Sequence, residues 1–253
     1  MSAGVQRTLV LLLFAVGGSA LLATPASAQL GGGDGYLFRE PRASLAWRVG
    51  VARPSANSQV FDFTEQQLTV NRGDFTGASV AMDLDVSLTR RLALRLGAAL
   101  SRREARSEYR NYVDNSDQPI EQATQFQRVP LTIGLKYSLT NPGRSVGRYA
   151  WVPAKVVPYV AAGTGLMFYR FRQTGDFVDF RDLAVFNAEL FSSGTSAMGY
   201  GAVGVNYALS SRLGLTTEAR YERANGPLGS DFEGFDHIDL SGVAVTAGFH
   251  VRF

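Results

Sequence analysis

The chain has 253 residues, a formal net charge of +3, 45% hydrophobic residues, 27 glycines and no cysteine. Without cysteine there is no disulfide framework, thiol nucleophile, zinc–thiolate site or lipidated anchor. The near-balanced charge, with basic residues scattered rather than blocked, excludes a nucleic-acid footprint. Beyond residue 28 no apolar run approaches the ~18 residues of a spanning helix, so the hydrophobic content is to be sought in strands of period two.

In chain order, Arg7 comes first as a positive residue, followed by the apolar run Leu9–Val16 and the small-residue pattern Ala26-Ser27-Ala28. This is the layout of a cleavable export signal. The apolar run is shorter than the ~20 residues a spanning helix needs. The expected organisation is a signal peptide over 1–28, cut after Ala28, and a barrel domain over 29–253.

Alternating strands follow. Leu45, Trp47, Val49 and Val51 oppose Ala46, Arg48 and Gly50; Val80, Met82, Leu84, Val86 and Leu88 oppose Ala81, Asp83, Asp85 and Ser87. Leu92 to Leu100 sets leucines against Ala93, Arg95, Gly97 and Ala99, and Val129 to Leu139 sets Leu131, Ile133 and Leu135 against Thr132, Gly134 and Lys136. Val156 to Arg172 and Met198 to Leu209 are less clean. Leu213 to Arg223 opposes Leu215, Thr217, Ala219 and Tyr221 to Thr216, Glu218, Arg220 and Glu222; the chain ends with Val243, Val245, Ala247, Phe249, Val251 and Phe253 against Ala244, Thr246, Gly248, His250 and Arg252. Because strand side chains alternate between faces, each strand has one apolar face and one small or charged face. Trp47, Tyr137, Tyr159, Tyr207 and Tyr221 are candidates for interfacial aromatics.

The connections alternate in length. Thr89-Arg90-Arg91 and Ser210-Ser211-Arg212 are tight turns, and Asn141 to Lys155 is a longer one. The other connections span about Ser55 to Asp74, Ser107 to Ala123, Gln173 to Thr195 and Ala224 to Ile238. Short turns on one rim and long loops on the other characterise outer-membrane barrels. The soluble alternative, a β-sandwich or lipocalin-like barrel, would bury the continuous apolar face. Charges set among Gly, Ala, Ser and Thr suit the lumen of a narrow membrane barrel better. The expected fold is all-β: a closed antiparallel transmembrane β-barrel of about eight strands.

The terminal Phe249-His250-Val251-Arg252-Phe253, ending in phenylalanine after alternating apolar residues, resembles the signal read by the barrel assembly machinery. The strand plan resembles the small outer-membrane barrels of the OmpA/OmpX/OmpW type over nearly all of residues 29–253. The resemblance implies outer-membrane location, outer-membrane lipid and the assembly machinery as partners, Phe249, Val251 and Phe253 as the assembly signal, and a monomer. No counterpart of the OmpA peptidoglycan-binding domain is expected, since the chain stops at Phe253, and cell-wall tethering is not carried over.

The alternation directs Arg48, Asp83, Asp85, Arg95, Lys136, Glu218, Arg220, Glu222 and Arg252 into the lumen. Buried charges need partners, and about eight strands leave an interior that side chains can fill. An ion-paired plug is therefore expected in preference to a pore lining. Small lipid-A deacylases resemble this architecture and use a His-Ser pair at the outer face, but His250 falls at the periplasmic rim and His237 in the last loop, with no serine at matching spacing. The carboxylates of Asp231 to Asp239 lack EF-hand spacing. No catalytic, cofactor or metal site is expected. The function expected is structural or surface-interacting; a narrow solute channel is the alternative, and a lipid-modifying enzyme comes behind it.

Overall fold

The computed structural model describes residues 35–114, 117–180 and 183–253. The expected signal peptide and its cleavage site lie outside the described residues.

The elements run β1 (Ala43–Pro54), α1 (Gln59–Gln67), β2 (Gly77–Ser87), β3 (Leu92–Val113), β4 (Pro119–Ser138), β5 (Gly143–Val146), β6 (Ala150–Pro153), β7 (Val156–Val178), β8 (Val185–Ala208), β9 (Leu213–Gly226), β10 (Ile238–Asp239) and β11 (Gly242–Arg252). Eight of them form a ring in the order β1-β2-β3-β4-β7-β8-β9-β11. All neighbours are antiparallel, and β11 closes the ring on β1, with Ser44 opposite Arg252 and Pro54 opposite Gly242. Within the paired span of the ring, closure leaves no free strand edge, which a membrane requires because lipid cannot satisfy backbone groups.

The face assignment decides what kind of barrel this is. Val49, Val203, Val245 and Phe249 are each more than half exposed, and Ile133 and Leu135 nearly so. In contrast, Arg48, Asp83, Arg95 and Glu218 are at most 3% exposed. The outward rows of the alternation carry no charge from Leu45 to Val51, Leu92 to Leu100, Leu213 to Tyr221 or Val243 to Phe253. An apolar exterior around a charged interior is stable only in lipid, and the protein is a transmembrane barrel.

Four strands are far longer than the ~9–11 residues needed to cross. β3, β4, β7 and β8 have 22, 20, 23 and 24 residues and continue beyond the apolar band as a tall extracellular wall. This corrects two expected loops: most of 107–123 and 173–195 is strand, leaving the connections after Val113 and Val178 much shorter. The upper strands lack the polar/apolar contrast that lipid imposes, so they look like loops.

Inside the wall lies an apolar core. Phe61 of α1 packs edge-on against Phe75, Phe126 and Phe171, with ring centroids 5.3, 5.4 and 5.5 Å away. Phe232 reaches Phe171 at 5.4 Å from the last loop. Met167, Tyr169, Met198, Ile238 and Leu240 complete the cluster. The first and last long loops therefore fold inward. α1 turns its short apolar face, Val60 and Phe61, into the barrel mouth. Its outer side is tied by Arg72, which donates to Asp62 and Glu65.

At the periplasmic end, β5 and β6 form a small hairpin whose buried Trp151 exchanges backbone hydrogen bonds of 2.7 and 2.8 Å with Leu37. Tyr159, read above as an interfacial aromatic, is 1% exposed and points into the lumen, because the outward row of β7 has the opposite parity.

The lipid-facing assignment is testable at Leu96, midway along the outward row of β3. Leu96→Arg is expected to cost about 2–4 kcal/mol when stability is measured by denaturant unfolding from lipid vesicles. An unchanged unfolding midpoint would place that row away from lipid.

Candidate functional site

The charged lumen is the one concentration of buried polar chemistry among the described residues, and each ring strand contributes to it. β9 places Glu218, Arg220 and Glu222 inward because they share the parity of Thr216 and Gly214; β1 contributes Arg48, β2 Asp83 and Asp85, β3 Arg95 and β4 Lys136. β7 adds Tyr159, β8 Tyr200 and β11 Thr246.

Glu218 is the hub. Its Oε1 accepts from Arg48 Nη2 at 3.0 Å and from Arg220 Nε at 3.0 Å. Its Oε2 accepts from Arg95 Nη1 at 2.6 Å and from the Tyr159 hydroxyl at 2.9 Å. Asp83 takes hydrogen bonds from Arg48 and, at 3.1 Å, from Arg220. Asp85 takes Arg95 in a two-pronged contact of 2.7 and 3.1 Å and Lys136 Nζ at 2.8 Å. Arg48 Nε also donates to Thr246 Oγ1 at 3.2 Å. Aromatic rings flank the cations: Lys136 lies 4.2 Å and Arg95 5.2 Å from the Tyr159 centroid, and Arg220 lies 4.7 Å from that of Tyr200. Such two-pronged guanidinium–carboxylate contacts add geometric specificity as well as energy.

Arg48, Arg95, Lys136 and Arg220 thus pair with three buried carboxylates, Asp83, Asp85 and Glu218. Glu222 lies one alternation step above Arg220 and joins none of the ion pairs, while Arg252 sits at the periplasmic rim near the carbonyls of Ser210 and Ser211 at 3.5 Å. Of the nine residues read as lumen charges, seven are thus directly linked to one another. The alternation missed Arg128, a further buried cation, which donates to the Leu240 carbonyl at 2.8 Å and joins the last loop to the barrel wall. Its even parity on β4, shared with Thr132 and Lys136, was the available signal.

Above Glu218, between Arg48, Arg220 and Glu222, lies a cavity of about 20 Å³, room for about one water. Below the network a cleft open to the periplasmic side ends on Asp85 and Lys136. Above it lies the buried phenylalanine cluster. As to enzymatic groups, His250 is buried in that periplasmic cleft. His237 is exposed, and no serine bonds to it. Two acids of the last loop serve backbone amides, Asp231 accepting from Phe191 N–H and Asp239 from Asn57 and Ser241 N–H, each at 2.9 Å, while Asp236 accepts from the Gln59 side chain at 3.1 Å. Among the described residues no three side chains converge as a metal site. Phe249, Val251 and Phe253 line the outward face of β11 and the chain end, beside β1.

No family model and no curated protein matches the chain. Among solved structures it is similar to Neisserial surface protein A (15% identity, covering 83% of this chain and 96% of that one, TM-score 0.43). It is also similar to the outer membrane protein OprG from Pseudomonas aeruginosa (12%, 86% and 99%, 0.45) and to Ail, the attachment invasion locus protein of Yersinia pestis (11%, 83% and 99%, 0.40). The closed antiparallel eight-strand ring, its apolar outward rows and its charged lumen give the protein the architecture of a small transmembrane β-barrel.

Removing the hub charge leaves three guanidinium groups facing one another in a site that water barely reaches. Glu218→Gln is expected to cost about 3–5 kcal/mol of unfolding free energy. Asp62→Asn, at an exposed pair, should cost no more than about 1 kcal/mol. Equal losses in denaturant unfolding would mean that the lumen network is solvated and loosely held.

Proposed function

We propose that the protein is a sealed barrel with a structural and surface-interaction role in the outer membrane, and that the lumen network acts as a plug. The observation that supports this reading is that two layers of buried side chains lie across the lumen. In the membrane, ion pairs from β1, β2, β3, β4 and β9 meet across the axis. In the extracellular half, Phe61, Phe126, Phe171 and Phe232 fill the bore. Passing a solute would require parting both layers at once, and separating buried ion pairs is costly.

What the sealed barrel offers is its outer end. Phe63 and Phe180 are 41% and 50% exposed and lie 6.3 Å apart, with Phe235 5.6 Å from Phe63 and Tyr112 5.9 Å from Phe180. Aromatic residues brought together from α1, β3 and two loops suit recognition at a surface, since such rings give large contact area at small entropic cost. This supports a surface-interaction role over the narrow channel and over a lipid-modifying enzyme.

The reading is tested by conductance in planar bilayers. Purified protein is expected to show no stepwise conductance, and Arg220→Ala to leave that silence unchanged. Steady single-channel steps whose size or ion selectivity changes in Arg220→Ala would overturn the plug in favour of the channel.

A further inference from the structure

We propose that the cleft at the periplasmic end of the lumen binds a small oxyanion, a phosphate or carboxylate group of a periplasmic solute, through Arg252, Asn206 and Lys136. The cleft ends beneath the ion-pair network, so the proposal does not rest on the sealed-lumen reading.

The cleft is built from the periplasmic ends of the inward rows. Lys136 and Ser138 come from β4, Asn206 from β8, and His250 and Arg252 from β11. The β5–β6 hairpin supplies a further wall through Trp151, which is 3% exposed. Trp151 pairs through its backbone with Leu37 and so straps the segment before β1 beside the opening. The His250 ring occupies room that Gly214 leaves, since a Cβ there would stand 2.3 Å from the ring's Cε1. These side chains enclose a space of about 90 Å³, enough for several waters or one small anion.

Charge decides the ligand. Arg252 is 8% exposed and, among the described residues, joins no ion pair; its contacts with the carbonyls of Ser210 and Ser211 are both at 3.5 Å. A buried cation without a counter-ion is costly, and the acids lining the cleft supply none. Asp85 is already engaged by Arg95 and Lys136, and Glu40 is exposed to solvent. Lys136 donates one hydrogen bond, to Asp85, and an ammonium has three to give. The Asn206 amide oxygen is buried without a partner; turned over, the same amide presents its N–H groups to the cleft. Arg90 and Arg91, both exposed, also line the cleft, and cations so placed draw anions inward. An oxyanion entering here meets a guanidinium fork, an ammonium and an amide. A cation meets one buried acid that is already paired.

The test is equilibrium dialysis of inorganic phosphate against the folded chain in micelles of a sugar detergent. The fluorescence of Trp151 is read alongside it in a W47F background, where Trp151 is the remaining tryptophan. Far-ultraviolet circular dichroism verifies that each variant is folded. Wild type is expected to bind phosphate saturably, with a change in Trp151 emission over the same concentrations. R252Q should weaken binding on the order of tenfold. A93F, which fills the cleft from β3 without removing a charge, should abolish it. R212Q, at a turn arginine outside the cleft, should bind like wild type. Competition by acetate assigns carboxylates as well as phosphates to the site, and its absence confines the site to phosphate. Unsaturable binding by wild type, or equal binding by wild type, R252Q and A93F, would overturn the proposal. Displacement of phosphate by an equal concentration of chloride would also overturn it, as the mark of unspecific counter-ion attraction.

Discussion

Glu218 sits where three guanidinium groups and a phenol converge inside a ring of eight strands, and the rest of the barrel is arranged around keeping that carboxylate paired. An isolated ion in so narrow and dry a bore would carry a desolvation penalty of several kcal/mol. Here the penalty is offset because Arg48, Arg95 and Arg220 arrive from three strands and because Asp83 and Asp85 share them. The pairing also couples strands far apart in sequence: Arg95 and Glu218 are separated by 123 positions. A one-residue slip of any strand would turn its charges out into lipid. The same interaction that fills the bore therefore fixes the register.

Much of this was legible in the sequence, because lipid imposes a strict rule on one face only. Leu92 to Leu100 and Val243 to Phe253 read cleanly since every outward position must be apolar while the inward ones need only be small or paired. Tyr159 shows where the rule runs short. The segment around it, Val156 to Met167, is apolar or small on both parities, so its inward row could be assigned only from the strands beside it. The partners within the lumen were not legible either. Alternation gives the face of Asp83 but not that Arg48 and Arg220, 35 and 137 positions away, meet there.

Above the membrane the sequence signal changes character. Lipid no longer selects the outer face, so Ser107 to Val113 reads as loop although it is strand. The inner face becomes apolar instead, with Ala105 and Phe126 on the rows that carry Arg95 and Lys136 lower down, and Met167 and Phe171 above Tyr159 on β7. A stretch with both parities apolar, such as Leu166-Met167-Phe168-Tyr169, marks that crossover. α1 escaped notice for a related reason: its nine residues bury only one short face, and tertiary packing of Phe61 rather than helical periodicity holds it in place. The outer-membrane barrel is thus two packed layers with opposite chemistry, ionic within the bilayer and aromatic outside it. The exposed rings of Phe63 and Phe180 are the outermost edge of the second layer.

The central claim, that the lumen is closed and faces opposite to the lipid, is tested most directly by thiol accessibility, for which a chain without native cysteine is well suited. Ala81 points into the lumen and Val80, its neighbour on β2, points outward. In protein folded into lipid vesicles, Ala81→Cys should resist a charged, water-soluble thiol reagent applied on both sides of the membrane, and Val80→Cys should react only with a reagent that partitions into lipid. Rapid modification of Ala81→Cys by the water-soluble reagent would contradict the account.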